Sequence, residues 1–248
     1  MDLRCYLAMT STEFQFAEVL PPYIAWMACH FSSYGIGLSN IPTGLPRESI
    51  LILNDRTPIH EHDPQQILSQ LQEYIEANPD SRILLDFQRP DSPETARVTK
   101  LLTEQLSCPI AVTPPYAAGL SCCVFLPPPP LHVPLSQYIS YWKDREIWLE
   151  AALENQQFTV TTDGSHSTSQ PFQPLQLPYF SDDALCCNYK IDIGHDHAKF
   201  TLSRDSDMLK KLLTEANALG ISTAIGLYQQ LQNTETIIFS CQLPSDCL

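Results

Sequence analysis

The chain has 248 residues, with 14 Lys plus Arg against 28 Asp plus Glu, a formal net charge of −14, and 44 % apolar residues. That is enough to bury the core of one large domain, residues 1–248, and so acidic a surface repels phosphate backbones and anionic lipids; neither nucleic acid nor membrane is an expected partner. The 8 glycines form no GxGxxG and no GxxxxGKS/T, which excludes nucleotide cradles of those two kinds, and no cofactor is expected.

Glu13 and Glu18 interrupt the opening run to Leu20, so it does not read as a signal peptide. The 9 cysteines include no CxxC and fall mostly in apolar stretches (Cys5, Cys29, Cys123, Cys241). They read as reduced, buried thiols, and the expected compartment is the cytoplasm.

In chain order, Leu3 to Met9 predicts a strand, and the apolar stretch through Ile24, Trp26 and Met27 predicts a long helix containing His30. Ile50 to Leu53 is a short buried strand ending in Asn54, Asp55 and Arg56. Asp63 then caps a helix that has Pro64 at its first position and Ile67, Leu68, Leu71 and Ile75 on its apolar face. Ile83 to Phe87 is the next strand, and Val98, Leu101, Leu102 and Leu106 mark the next helix. Three further strands follow at Ile110 to Val112, Val124 to Leu126 and Ile147 to Leu149, with a short helix at Leu135 to Trp142 before the last.

Continuously apolar strands alternating with helices imply a parallel sheet covered on both faces. With about eight such units in about 250 residues, the expected fold is an α/β (β/α)₈ TIM-barrel-like architecture. A doubly wound open sheet is the alternative. Residues 156–204 break the rhythm: Phe158 to Thr162 and Asn188 to Ile193 alternate apolar and polar, and Lys199 to Leu202 follows a Gly194–His195–Asp196–His197 turn. These predict a small antiparallel β insertion before the last helix and strand, with Ser165 to Pro178 as a polar link within it. Met208 to Ala216 is the last helix, Gly220 ends it, and Ile221 to Leu227 is the last barrel strand. Ile237 to Phe239 reads as a trailing strand.

Functional groups of a parallel barrel collect at the carboxyl ends of its strands. Those ends carry Asp55, Arg56, Asp86, Gln88, Arg89, Tyr116, Glu150, Tyr228 and Gln229. Carboxylates, guanidiniums and phenols around one mouth suit a small oligosaccharide or another polar small molecule. The same spacing also allows an Asp86–Arg89 salt bridge that merely closes the rim.

The run Leu84-Leu85-Asp86-Phe87-Gln88-Arg89-Pro90 resembles the signature strand of family 18 glycoside hydrolases, whose fourth strand ends in Asp-x-Glu followed by an aromatic and Pro. The late antiparallel insertion is similar to the one that family carries after its seventh strand. The segment Phe200 to Leu227, with Leu-Gly-Ile and a closing aromatic, is similar to its last helix and strand. The resemblance implies that Asp86 orients the substrate's acetamido group and that the acid position falls on Gln88, with Arg89 in place of the usual aromatic and Tyr228 in place of the floor Trp. Glutamine cannot donate a proton to a leaving oxygen. The resemblance therefore implies either a sugar-binding barrel without turnover or a hydrolase whose acid comes from another strand. Glu150 is the first substitute and Asp55 the second.

Two readings of other classes stand beside it. One is a non-catalytic protein-interaction barrel using its rim or the run Pro127 to Pro130. The other is a metal-dependent hydrolase with ligands at His60 and His62, although the same His-Glu-His-Asp segment reads first as a solvated loop before the Asp63 cap, and no metal is assigned.

Overall fold

A computed structural model of the chain describes residues 2–59, 63–89 and 92–232. The strands are β1 (Arg4–Met9), β2 (Ile24–Phe31), β3 (Leu38–Ser39), β4 (Ile50–Asn54), β5 (Arg82–Asp86), β6 (Ile110–Val112), β7 (Cys123–Leu126), β8 (Ile147–Glu150), β9 (Glu154–Thr161), β10 (Gly164–Gln170), β11 (Phe180–Asp182), β12 (Cys187–Ile193), β13 (His197–Arg204) and β14 (Thr223–Leu227). The helices are α1 (Ser11–Phe16), α2 (Pro64–Ala77), α3 (Pro93–Gln105), α4 (Pro114–Ala117), α5 (Leu135–Tyr138), α6 (Ser206–Ala218) and α7 (Tyr228–Leu231), with a 3₁₀ turn at Ile139–Trp142.

Strands β1, β2, β4, β5, β6, β7, β8 and β14 pair in parallel in that order, and β1 pairs with both β14 and β2. The sheet is therefore a closed barrel of eight parallel strands, with β3 added antiparallel to β2. Alternation along each strand divides the apolar residues into two shells. Tyr6, Ala8, Ile50, Ile52, Leu84, Phe125, Trp148 and Ile225 fill the barrel. Their neighbours Leu7, Leu51, Leu53, Leu85 and Leu149 face outward onto the helices, where Leu71 of α2, Leu102 of α3 and Leu212 of α6 cover them.

Local signals set several helix ends. The Asp63 carboxylate accepts from the Gln65 amide (2.9 Å) with Pro64 at the first position of α2. Ser92 and Asp205 cap α3 and α6 in the same way. Gly220 closes α6 at φ 86°, a left-handed conformation that an L side chain resists.

The long helix expected through Ile24, Trp26 and Met27 is instead β2. Helix α1 stops at Phe16, and Pro21-Pro22 disfavour helix just upstream of Ile24. A strand buried on both faces has no period-2 pattern, so its apolar run reads equally well as helix. His30 thus lies on a strand, with Nδ1 at 2.9 Å from the Ala28 carbonyl.

A second, five-stranded antiparallel sheet in the order β10-β9-β13-β12-β11 lies between β8, the seventh barrel strand, and α6. The first part of the expected polar link Ser165 to Pro178 is strand β10, which pairs with β9 from Gly164↔Thr161 to Gln170↔Asn155. This edge strand is exposed along its length, so its sequence carries no apolar alternation. Its one signal is the turn dipeptide Asp163-Gly164. The inner part of this sheet packs Cys187 and Leu202 against Leu131. No helix among the described residues is long and apolar enough to cross a membrane. His60, His62 and the strand expected at Ile237 to Phe239 lie outside the described residues.

Candidate active site

The carboxyl ends of the barrel strands surround a cavity of about 540 Å³, within the range of small-ligand sites. Its apolar floor includes Ile52, Leu84, Phe125 and Ile225. Asn54, Asp55, Arg56, Asp86, Gln88, Arg89 and Glu150 supply its polar wall. Register explains the convergence. Asn54 pairs with Asp86 across β4 and β5, each two residues beyond an inward side chain (Ile52, Leu84). Glu150 pairs with Ile225 across β8 and β14, two residues beyond inward-facing Trp148. At Gly226 the backbone of β14 runs so close to β8 that a Cβ would lie 2.5 Å from the Ala151 carbonyl oxygen.

Two carboxyls of this wall, Glu150 and Asp86, differ in their surroundings. Burial pushes Glu150 up to about 7, with further contributions from the charges of Asp86 and Glu154. Burial also raises Asp86, with Asp55 adding to the rise, but the Gln88 side-chain amide donates to its Oδ1 and works in the opposite direction. A hydrogen bond from an uncharged donor favours the ionised form, whereas Glu150 has neighbouring negative charge and no cation among the causes of its shift. The two environments therefore differ in the sense that separates an anionic carboxylate from a proton donor near neutral pH.

The third carboxyl, Asp55, is occupied by the fold. It is 5 % exposed. Its oxygens accept the backbone amides of Gln88 (3.1 Å) and Arg89 (2.8 Å). Arg89 in turn donates Nε to the Asp55 carbonyl (2.9 Å) and Nη2 to the Arg56 carbonyl (3.0 Å). The guanidinium thus ties two loops together through backbone oxygens. Arg56 and Gln88 are exposed on the cavity rim.

Tyr116 is buried outside the barrel, edge-on to Phe87, and its hydroxyl donates to the Arg89 carbonyl. It braces the loop after β5 from behind and does not line the cavity. Leu227 faces the cavity, while Tyr228 begins α7 and packs on the outer core. Gln229 is exposed away from the cavity lining.

The cavity lining that was not among the expected site residues includes Asn54, Phe125 and Met27. Asn54 donates Nδ2 to the carbonyls of Met27 (3.1 Å) and Cys29 (2.9 Å), where the register of β2 against β4 shifts. Its position at the end of a buried strand was the available signal. Phe125 and Met27 enter through strand alternation alone.

No protein-family model and no curated protein sequence matches the chain. Solved structures do. A variant of the GH18 chitinase from Cycas revoluta in complex with (GlcNAc)4 superposes with a TM-score of 0.59 at 7 % identity, over 96 % of this chain and 99 % of that one. The fold is that of the family 18 barrels. A glycoside hydrolase family 18 N-acetylglucosaminidase from Paenibacillus barengoltzii gives 0.57 at 8 % identity, covering 97 % of this chain and 100 % of that one. The Bacillus cereus spore cortex-lytic enzyme SleL gives 0.55 at 10 %, covering 90 % and 70 %. This family 18-like barrel shares their architecture at identities that carry the fold alone. Its β5 is the fourth barrel strand, ending in Asp86, and its antiparallel sheet follows the seventh.

Proposed function

We propose that the barrel mouth binds a short N-acetylglucosamine oligomer and that Glu150 and Asp86 act on it as a carboxyl pair. The observation that carries this reading is the placement of both carboxyls, from strands separated only by β6 and β7, on the wall of one cavity. Glycoside hydrolysis needs one carboxyl to protonate the leaving oxygen and a second group to stabilise or attack the anomeric centre. Glu150, titrating at about 7, retains its proton near neutrality and is the donor. Asp86, held by the Gln88 amide, is the anionic partner and orients the acetamido group that attacks the anomeric carbon. Phe125 and the aliphatic floor take the apolar face of a pyranose ring, and the exposed Arg56 donates to its hydroxyls.

Gln88 supports a second reading, binding without turnover, because it stands two residues after Asp86 at the position where family 18 places its acid. Calorimetric titration with N-acetylglucosamine oligomers separates the two. Saturable heat establishes the site, and heat that continues after mixing establishes turnover. Glu150→Gln abolishes the continuing heat and keeps the saturable part. Absence of saturable heat for the whole oligomer series overturns the proposal.

A further inference from the structure

Asp and Glu outnumber Lys and Arg by 28 to 14 in this chain, so carboxylates are in excess for any guanidinium to pair with. Arg4 pairs with Glu48 at 2.9 Å and Arg204 with Glu154 at 2.7 Å. Arg145 instead turns its donors to the backbone carbonyls of Ala117, Leu120 and Cys122. Arg56 and Arg89 differ from all three. Both are exposed, both line the cavity at the barrel mouth, and neither forms an ion pair among the described residues.

The fold itself withholds the anion. Asp55 precedes Arg56 and touches Arg89, yet its carboxylate is turned to the backbone amides of Gln88 (3.1 Å) and Arg89 (2.8 Å). Arg89 is held by Nε on the Asp55 carbonyl (2.9 Å) and Nη2 on the Arg56 carbonyl (3.0 Å), and its Nη1 has no partner among the described residues. Arg56 is anchored through its backbone: its amide donates to Asn54 Oδ1 (3.2 Å) and its carbonyl accepts from Arg89. Its guanidinium makes no hydrogen bond among the described residues. A guanidinium oriented before a ligand arrives loses little freedom on binding, and its planar fork matches the two oxygens of a carboxylate.

We propose that Arg56 and Arg89 form an acid-recognition subsite on the rim, and that the saccharide taken by the mouth carries a carboxylate on a ring substituent. The inference rests on the mouth being a saccharide site and adds the charge of its ligand. A single negative charge suits the place better than two, because Asp86, at the end of β5, lines the same cavity and repels a second. The subsite follows β4 and β5, and β6 and β7 separate it from Glu150 on β8. The ligand's carboxylate is thus held on the opposite side of the mouth from the carboxyl proposed as acid.

The test is calorimetric titration of the full-length protein with two disaccharides of equal length. One is neutral di-N-acetylchitobiose; the other, N-acetylglucosaminyl-N-acetylmuramic acid, differs from it by one lactyl ether carboxylate. The acidic disaccharide is expected to bind about tenfold more tightly at low salt. That advantage is expected to shrink to about twofold near 1 M NaCl, where charges are screened beyond about 3 Å. Arg56→Gln is expected to lower the ratio of the two affinities at least threefold, and Arg56→Lys to restore part of it. An acidic disaccharide bound no better than the neutral one overturns the proposal and leaves the saccharide reading standing. Binding of the acidic disaccharide alone supports the subsite and overturns the reading of the mouth as a site for neutral oligomers. Failure of both to bind overturns both. A 6-O-sulfated di-N-acetylchitobiose bound as tightly as the acidic disaccharide overturns the assignment of a carboxylate.

Discussion

Asp55 and Arg89 hold one another in both directions: the Asp55 carboxylate accepts the Arg89 amide at 2.8 Å, and the Arg89 guanidinium donates to the Asp55 carbonyl at 2.9 Å. Each residue fixes the backbone of the other. This clasp ties the loops after β4 and β5 together and places Gln88 beside Asp86. It also commits the Asp55 carboxylate to two backbone amides, so that under the proposed function Glu150 is the carboxyl that serves as acid.

Replacing Asp55 with Asn therefore acts on the fold of the mouth. An amide side chain keeps one acceptor and turns a donor toward a backbone N–H, so one of the Gln88 and Arg89 amides loses its partner. The expected cost is about 1–3 kcal/mol, read as a lower urea midpoint. Saccharide affinity is expected to fall as well, because the loop bearing Gln88 loosens.

Glu150 gives a pH dependence of defined sign. Its folded value of about 7 lies above its ordinary 4.5. Between those values the folded chain binds more protons than the unfolded chain, so stability falls as pH rises through that window. Its contribution is whole below pH 4.5 and is lost by pH 7. Glu150→Gln removes the effect. Urea denaturation is expected to find the variant gaining on the wild type by up to about 3 kcal/mol between pH 4.5 and 7. A constant difference across that range would show that Glu150 titrates normally.

Gln88→Glu replaces the amide donor at Asp86 with a carboxyl. Two carboxyls in contact cannot both ionise readily, so the apparent midpoint of the pair rises. It also places a proton donor two residues after Asp86. Hydrolysis of N-acetylglucosamine oligomers is expected to rise at least tenfold at mildly acidic pH, measured by release of shorter oligomers. No gain would mean that this position does not reach the glycosidic oxygen.

Gly226→Ala tests the close approach of β14 to β8. The added methyl would lie 2.5 Å from the Ala151 carbonyl oxygen, a backbone atom with little freedom to move, and would press on the Leu231 side chain. Separating the two strands next to Glu150 is expected to cost about 1–3 kcal/mol, read as a lower melting temperature. Saccharide binding should weaken with it.

What the sequence determined is what neighbours along the chain decide. Asp63-Pro64 starts α2 because cap and ring geometry are local, and Gly220 ends α6 because its backbone is left-handed. Short apolar runs such as Ile50 to Leu53 name strands that are covered on both faces. Once the strands are known, alternation puts Asp86 and Glu150 two residues beyond inward side chains, and both were legible as candidates.

Only the tertiary structure decided the rest. Ile24 to Phe31 became a strand through pairing with β1 and β4, and exposed β10 became one through pairing with β9. Tyr116 and Tyr228 follow strand ends as closely as Glu150 does. They turn to the outer shell because each begins or belongs to a short helix packed there. Asp55 is committed to amides 33 and 34 residues away, and Glu154 to a guanidinium 50 residues away. Which donors meet a carboxylate depends on loops brought together by barrel closure, and no local pattern carries that information.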